Sequence, residues 1–225
     1  LHEFRRRGSR FPAYTSIVAS GANACVLHYV NNDRRMQNGE LLLIDAGCEL
    51  DGYAADITRT IPVSGRYSGP QRDIYQLVLA AQTAAIAAIK PGAHFMSAHE
   101  AAVKVLAQGV IDLKLLAGSV DGVIESESYK RFYMHRTSHW LGMDVHDAGE
   151  YKTGEHWRAL APGMVLTVEP GCYIRPADDI PVPFHNIGIR IEDDALVTPG
   201  GCDILTTAAP KTIVDIEALM AEAKA

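Results

Sequence analysis

The chain reads Gly39-Glu40-Leu41-Leu42-Leu43-Ile44-Asp45-Ala46-Gly47 in its first half and Gly163-Met164-Val165-Leu166-Thr167-Val168-Glu169-Pro170-Gly171 in its second. In both stretches an apolar run leads from a glycine to a carboxylate, and another glycine stands two places later. Short apolar runs of this kind are typical of buried strands. A pattern this loose can arise by coincidence. The alternative is a chain of two related halves, each placing an acidic group at the end of a strand.

Strand and helix patterns alternate on either side of these runs. Strands are predicted at 24–30, at 41–44 and at 56–63, where Pro62 indicates a sheet edge. Helical spacing follows from the Ser68-Gly69-Pro70 start to Pro91, and again over 97–116, where Ser97 and Glu100 resemble a capping box. A polar stretch at about 119–133 leads to further strands. These patterns predict an α/β (α+β) fold.

Composition excludes several classes of protein. With 21 basic and 27 acidic side chains in 225 residues, the formal net charge is −6, which is unlike a nucleic-acid binder. No stretch approaches the roughly 20 consecutive apolar residues that a membrane span needs, and the chain does not open like a secretory signal. Four well-separated cysteines (Cys25, Cys48, Cys172 and Cys202) favour reduced thiols, so we expect a cytoplasmic protein.

Four carboxylates lie on or at the ends of predicted apolar strands: Asp45, Asp56, Glu169 and Glu192. A turn at Gly52 lets a hairpin bring the first two together. Each one taken singly has an ordinary interpretation as a turn or cap residue. Burying a charge is costly unless it is paired or bound to a metal, and gathered like charges repel unless cations neutralise them. The four together therefore predict a metal site.

Histidines are the second chemical element. His135, His139 and His146 fall within twelve positions, which indicates the wall of a site, whereas His28 is as easily structural as functional. Four carboxylates with one imidazole form a hard, oxygen-rich set that favours Mn²⁺, Co²⁺ or Fe²⁺ over structural zinc. Two divalent ions offset four negative charges and can activate a shared water. The residues alone predict a dinuclear metallohydrolase without naming its substrate.

Five segments carry a resemblance to a known family, and they follow its order over nearly the whole chain: Leu43-Ile44-Asp45-Ala46-Gly47, Tyr53-Ala54-Ala55-Asp56-Ile57-Thr58-Arg59-Thr60, Ser138-His139-Trp140-Leu141-Gly142-Met143-Asp144-Val145-His146-Asp147, Thr167-Val168-Glu169-Pro170-Gly171 and Gly188-Ile189-Arg190-Ile191-Glu192-Asp193. The sequence resembles the catalytic domain of aminopeptidase P, the Xaa-Pro aminopeptidase of the pita-bread metallopeptidases. The resemblance implies a pseudo-twofold pita-bread fold, with one catalytic domain over 1–225 and halves at roughly 1–118 and 119–225.

The resemblance also implies a ligand set for two divalent metal ions: Asp45, Asp56, His139, Glu169 and Glu192. Asp56 and Glu192 would bridge the ions. Asp45 would complete one coordination shell, and His139 with Glu169 the other. Mn²⁺ is the first expectation, with Co²⁺, Fe²⁺ and Zn²⁺ as alternatives.

Further pocket residues follow from the same resemblance. His28, His135 and His146 match histidines that hold the peptide and stabilise charge at the scissile carbonyl. Arg190 matches an arginine that would orient Glu192, as outer-shell partners of metal ligands do.

Two further positions lie beside this set. Tyr173 is expected near the ligands. Arg136 departs from the family pattern, because relatives often have glycine there, and it predicts a different edge of the pocket.

The implied activity is release of the N-terminal residue from peptides with proline second. Water activated by the metal pair would attack the carbonyl before proline, Glu169 would handle the proton and a histidine would stabilise the oxyanion. Prolidase, which cleaves Xaa-Pro dipeptides, is the rival within the fold, and methionine aminopeptidase shares the ligands. A non-catalytic binding module of the same fold is the alternative from another class.

The expected partners are peptide substrates, with no nucleic acid and no membrane. Because the chain begins at Leu1 in what reads as the tail of a helix, we expect sequence upstream. In relatives a domain located there shapes the cleft and mediates oligomer contacts, so a homo-oligomer is expected of the full-length protein.

Overall fold

A computed structural model describes residues 1–222 as helices joined to short antiparallel strands. The helices are α1 (His2–Arg6), α2 (Gly69–Ala88), α3 (Ser97–Asp112), α4 (Val120–Glu125) and α5 (Ile213–Glu222). The strands are β1 (Phe11–Pro12), β2 (Ile17–Ser20), β3 (Leu41–Asp45), β4 (Cys48–Leu50), β5 (Tyr53–Ala54), β6 (Thr58–Pro62), β7 (Lys152–Thr153), β8 (His156–Trp157), β9 (Val165–Val168), β10 (Gly171–Ile174), β11 (Ile187–Arg190), β12 (Asp193–Thr198) and β13 (Gly201–Ile204).

The first half carries its carboxylates on the sheet β2-β3-β6. Asp45 ends β3, with Ile17 and Thr58 as its neighbours on the flanking strands. β4 and β5 form a hairpin whose turn has positive φ at Asp51 and Gly52, and this hairpin returns the chain towards Asp56. The predicted strands at 41–44 and 56–63 are confirmed, and β6 lies at an edge of its sheet, as its proline predicted.

The second half places two carboxylates opposite each other. β9 pairs with β12 so that Val168 faces Asp193, and β10 pairs with β11 so that Gly171 faces Arg190. Glu169 and Glu192 occupy the gap between these two ladders. The segment that carries Glu192 is therefore divided into two strands, β11 and β12, because the backbone N–H of Glu192 turns away from the ladder and donates to the carbonyl of Thr58 at 3.1 Å.

Helices α2 and α3 pack together and cover the main hydrophobic core. α2 begins at a capping box in which Ser68 and Gln71 exchange side-chain-to-backbone hydrogen bonds. The capping box predicted at Ser97 is wrong, because Ser97 is already helical. The N-cap residue is Met96, whose side chain has no oxygen that could accept a hydrogen bond. α3 ends at Asp112, before the predicted 116. Within residues 1–222, none of the helices combines the length and the hydropathy that a membrane span requires.

The strand predicted at 24–30 is wrong. After β2 the chain turns at Gly21, where φ is +58°, into the 3-10 helix Gly21–Cys25, and 26–30 is irregular. Ala24 is buried because its backbone packs against β11, where a Cβ on Gly188 would lie 2.3 Å from the Ala24 carbonyl oxygen. Packing onto β11 therefore accounts for Ala24 and Cys25, whereas Val26 and Val30 are exposed.

One side chain of α2 reaches the gap between the second-half carboxylates. Nε2 of Gln82 lies 3.2 Å from the carbonyl oxygens of Val168 and Ile191, and 3.1 Å from a carboxylate oxygen of Asp193. The two carbonyls directly precede Glu169 and Glu192 in the chain. Buried backbone acceptors need hydrogen-bond partners. The Gln82 amide therefore donates to carbonyl groups that have no strand partner where the ladder is interrupted.

Replacing Gln82 with leucine should lower the free energy of unfolding by about 1–3 kcal/mol, because buried acceptors lose their donor. Urea unfolding followed by circular dichroism measures the change. Gln108→Leu is the matched control, since Gln108 is exposed on α3 and bonds only to Asp112; it should change stability by less than about 0.5 kcal/mol. Equal stability of the two variants would contradict this role.

A glycine permits the close approach of the hairpin strands beside Asp45. A Cβ on Gly47 would lie 1.6 Å from the carbonyl oxygen of Ala55, a backbone atom of the residue before Asp56. Gly47 has no positive φ, so the requirement is one of space rather than of backbone conformation. The absence of a side chain there lets the two carboxylate-bearing segments meet.

Gly47→Ala should therefore destabilise the protein by about 1–3 kcal/mol, the usual cost of overpacking, and displace Asp56. Thermal unfolding and a crystal structure of the variant measure both effects. Gly69→Ala is the control, because a Cβ at this first residue of α2 meets nothing within 4 Å. The interpretation fails if Gly47→Ala unfolds at the wild-type temperature.

Candidate metal centre

One cavity gathers the residues that the sequence nominated. It has a volume of about 450 Å³ and is reached by segments from both halves of the chain. All nine nominated ligands and pocket residues line it: His28, Asp45, Asp56, His135, His139, His146, Glu169, Arg190 and Glu192. Their roles remain predictions, but their placement at one location is a property of the fold.

Three of these residues have side-chain atoms close enough together to bind one cation. Asp56, His139 and Glu192 each offer a ligand atom, and these atoms lie within 4.8 Å of one another. Nε2 of His139 is also 3.4 Å from Asp56 Oδ2 and 3.6 Å from Glu169 Oε1. Asp45 lies outside this tightest group, although it faces the same cavity.

The His139 ring is oriented for metal binding. Its Nδ1 lies 3.0 Å from the carbonyl oxygen of Trp140. Because a carbonyl oxygen only accepts, Nδ1 carries the hydrogen and Nε2 keeps its lone pair towards the carboxylates. A backbone carbonyl that fixes the second ring nitrogen in this way is the usual companion of a ligating histidine.

Hydrogen bonds from two neighbours hold Asp45. Arg190 donates from Nη2 to Oδ2 at 2.5 Å, and the Tyr14 hydroxyl lies 2.5 Å from Oδ1 of Asp45 and 2.5 Å from Oδ1 of Asp56. Tyr14 therefore joins the two carboxylates that the hairpin brings together. A carboxylate oxygen that accepts one hydrogen bond retains a further lone pair, so both residues can still bind a cation.

The Arg190 contact differs from the one expected. The guanidinium donates to Asp45, to the Tyr173 hydroxyl at 3.1 Å and, from Nε, to the Thr58 hydroxyl at 3.2 Å. Thr58 in turn donates to Glu192 Oε2 at 2.5 Å. The strand breaks between Arg190 and Glu192, and the hydrogen-bonded connection between them runs through Thr58. That Arg190 orients Glu192 stays a prediction.

Several acidic groups are buried at one place, and their negative charges need to be balanced by cations. Burial raises the pKa of Glu169 to about 7, raises that of Glu192 well above its usual range, and raises that of Asp45 despite the opposing charge of Arg190. Arg190 brings one positive charge to four carboxylates. Oxygen-rich donors with one imidazole suit hard or borderline divalent ions, so the residues present fit divalent metal binding.

The pocket histidines occupy different parts of the wall. His135 lies with Nε2 2.8 Å from the Tyr173 hydroxyl and Nδ1 2.8 Å from the Arg136 carbonyl oxygen. The ring of His146 packs edge-on against that of His139, with centroids 4.4 Å apart. His28 is exposed at the rim. Tyr173 thus lies beside the site, linking His135 to the guanidinium network.

Sequence reasoning missed Tyr14 and Thr58. Thr58 carried a usable signal, because it stands two residues after Asp56 and alternate residues of an extended chain share a face. Tyr14 carried none, since it lies in a loop far from the carboxylates in sequence.

Comparisons with known proteins agree with this geometry. Residues 1–199 match the model of metallopeptidase family M24. The chain is 54% identical over 220 residues to the Xaa-Pro aminopeptidase of Haemophilus influenzae, covering 98% of this chain and 51% of that protein. It is 47% identical over 223 residues to the Xaa-Pro aminopeptidase of Escherichia coli, covering 99% and 50%. The chain therefore spans about half the length of the curated relatives it matches.

A solved structure gives the same result for the fold. Pseudomonas aeruginosa aminopeptidase PepP superimposes with a TM-score of 0.98 at 57% identity, over 99% of this chain and 51% of that one. The pita-bread fold that the resemblance implied is thereby confirmed. By sequence and by structure, the chain belongs to metallopeptidase family M24.

Proposed function

We propose that this chain is the catalytic portion of a metal-dependent Xaa-Pro aminopeptidase, which releases the N-terminal residue from peptides whose second residue is proline. The observation that carries the proposal is the gathering of Asp56, His139 and Glu192 within 4.8 Å, in a cavity that Asp45 and Glu169 also line. Relatives at 54% and 47% identity bear the name Xaa-Pro aminopeptidase, which supports the same substrate class.

The five acidic and imidazole side chains would hold two divalent ions, with Mn²⁺ the first candidate. Asp56 and Glu192 would be shared between the ions, Asp45 would serve one, and His139 with Glu169 the other. When bound, the ions supply positive charge and lower the pKa of a water molecule for hydrolysis. Hydrogen bonds from Tyr14 and Thr58 fix the carboxylate orientations that this requires.

The remaining wall residues suit peptide binding and proton transfer. Glu169 faces two imidazoles, with its carboxylate 3.6 Å from His135 Nδ1 and 3.6 Å from His139 Nε2, so it can pass a proton at the reacting centre. His28, His135 and His146 line the same cavity, where a wall histidine would stabilise negative charge on the scissile carbonyl oxygen.

A non-catalytic binding module of this fold is expected to have lost one or more of the metal-ligating residues. Every position that the resemblance nominates as a ligand holds a residue able to bind a metal, and each faces the cavity. This favours the enzyme over the binding module.

Asp56→Asn and Glu192→Gln should each lower kcat on an Xaa-Pro peptide by at least about 100-fold, because a neutral amide does not replace a shared anionic ligand. The bound metal per chain should fall as well, as measured by plasma mass spectrometry after loading with Mn²⁺. Asp73→Asn is the control, since Asp73 is exposed on α2 away from the cavity. Near-normal kcat in either site variant would contradict the shared-ligand assignment.

Three peptides separate the candidate functions of the Mn²⁺-loaded protein. We expect cleavage of Arg-Pro-Pro after its first residue, with much slower turnover of the dipeptide Ala-Pro and of a Met-Ala peptide, as measured by chromatography of the products. Exclusive cleavage of Ala-Pro would identify a prolidase, and preference for Met-Ala a methionine aminopeptidase. A metal-loaded protein that cleaves none of the three would favour the binding module.

A further inference from the structure

A guanidinium group on the cavity wall takes no part in the carboxylate network. Arg136 lines the cavity and is exposed to solvent. Within residues 1–222, no carboxylate lies within ion-pairing distance of it, whereas Arg190 is buried and engaged with Asp45. An unpaired guanidinium facing a pocket can bind a ligand carboxylate through two parallel N–H···O hydrogen bonds.

Contacts on both sides hold Arg136 in place. Its guanidinium carbon lies 5.4 Å from the centre of the Trp157 ring, within the range of a cation–π interaction. Its backbone carbonyl oxygen lies 2.8 Å from Nδ1 of His135, a histidine of the same wall. The Trp157 ring therefore contacts the guanidinium itself, and the hydrogen bond to His135 ties the backbone of Arg136 to the cavity wall.

A second cation shares the same aromatic ring. Nζ of Lys152 lies 4.6 Å from the Trp157 ring centre, and Lys152 faces Trp157 across the β7-β8 pair. Glu150 precedes this hairpin and Glu155 lies in its turn; both are exposed, and neither forms an ion pair with Arg136 or Lys152 in the described part of the chain. Two cations therefore share the Trp157 ring, and of these two Arg136 also lines the cavity.

The carboxylates inside the cavity and the guanidinium of Arg136 on its wall can orient a peptide by charge. A free amino terminus is positively charged and is attracted to the acidic group around Asp56 and Glu192, while the guanidinium repels it. A peptide bound with its amino terminus at the carboxylates extends its later residues towards the rim, and each added residue reaches up to about 3.6 Å further. Negative charge on the residues after proline is what Arg136 can bind.

We propose that Arg136 is a specificity residue, which binds a carboxylate carried by the peptide on the residue after proline. The carboxylate comes either from an acidic side chain at the third position or from the C-terminus of a tripeptide. This inference rests on the proposed aminopeptidase function and adds a preferred substrate class to it. Because the contact is exposed on one side, its effect is modest, about three- to tenfold in kcat/KM.

The test compares three tripeptides on the Mn²⁺-loaded protein. Ala-Pro-Glu amide carries only a side-chain carboxylate, Ala-Pro-Ala with a free C-terminus carries only a terminal one, and Ala-Pro-Gln amide carries neither. We expect the wild-type protein to prefer at least one of the first two over the third by about three- to tenfold in kcat/KM, and we expect added NaCl to reduce the preference.

Arg136→Gln should reduce this ratio to about one. Lys152→Gln is the matched control, since it removes the other cation from the same ring; it should keep at least half of the preference. Equal ratios in wild type and Arg136→Gln would overturn the inference, and so would a loss in Lys152→Gln as large as in Arg136→Gln.

The panel also separates this inference from the function on which it rests. If the wild-type protein cleaves all three peptides at equal kcat/KM, the aminopeptidase function stands and the role of Arg136 fails. If the wild-type protein cleaves none of them, the proposed function itself fails. A preference that is absent at low salt in the wild type contradicts the inference without any variant.

Discussion

The ion pair between Arg190 and Asp45 joins the two halves of the molecule where their carboxylates meet. Arg190 ends β11 in the second half, and Asp45 ends β3 in the first. The Thr60 hydroxyl strengthens the same junction by donating to the Arg190 carbonyl and accepting from its N–H. A buried pair of this kind does little for stability by itself, yet loss of one partner leaves an uncompensated charge. The site depends on it because it fixes one half against the other.

The parts of the site that the sequence predicted are those that local patterns specify. Asp45 and Glu169 each follow an apolar run, and an apolar strand pattern that ends in a carboxylate can be recognised in a single sequence. Asp56 was predictable from the glycine-containing turn that returns it to Asp45. Glu192 and the histidine cluster of His135, His139 and His146 were also predicted from the residues. The resemblance then supplied the choice of His139 as the ligating histidine and the division of the ligands between two ions.

The features that sequence reasoning missed are set by contacts between distant segments. Residues 24–30 look like a strand because they are apolar, but only Ala24 and Cys25 are buried, through packing on β11 rather than through pairing in a sheet, and Val26 and Val30 are exposed. Tyr14 lies in a loop and Gln82 in a helix, and the local sequence around each is ordinary. Tyr14 matters because it bonds to two carboxylates, and Gln82 because it bonds to two backbone carbonyls without a strand partner. Tertiary structure decides such roles, and local propensity does not express them.

Centre and rim of the cavity are under different physical constraints. At the centre, Asp45, Asp56 and Glu192 are buried and hydrogen-bonded to Tyr14, Thr58 or Arg190, so one substitution leaves a polar group without its partner. At the rim, the exposed guanidinium of Arg136 contacts the partly buried ring of Trp157 and forms no ion pair with the buried carboxylates in the described part of the chain, so a change there alters charge without disturbing the buried network. A substitution at the rim can therefore change which peptides bind, while the buried carboxylates at the centre keep their hydrogen-bond partners.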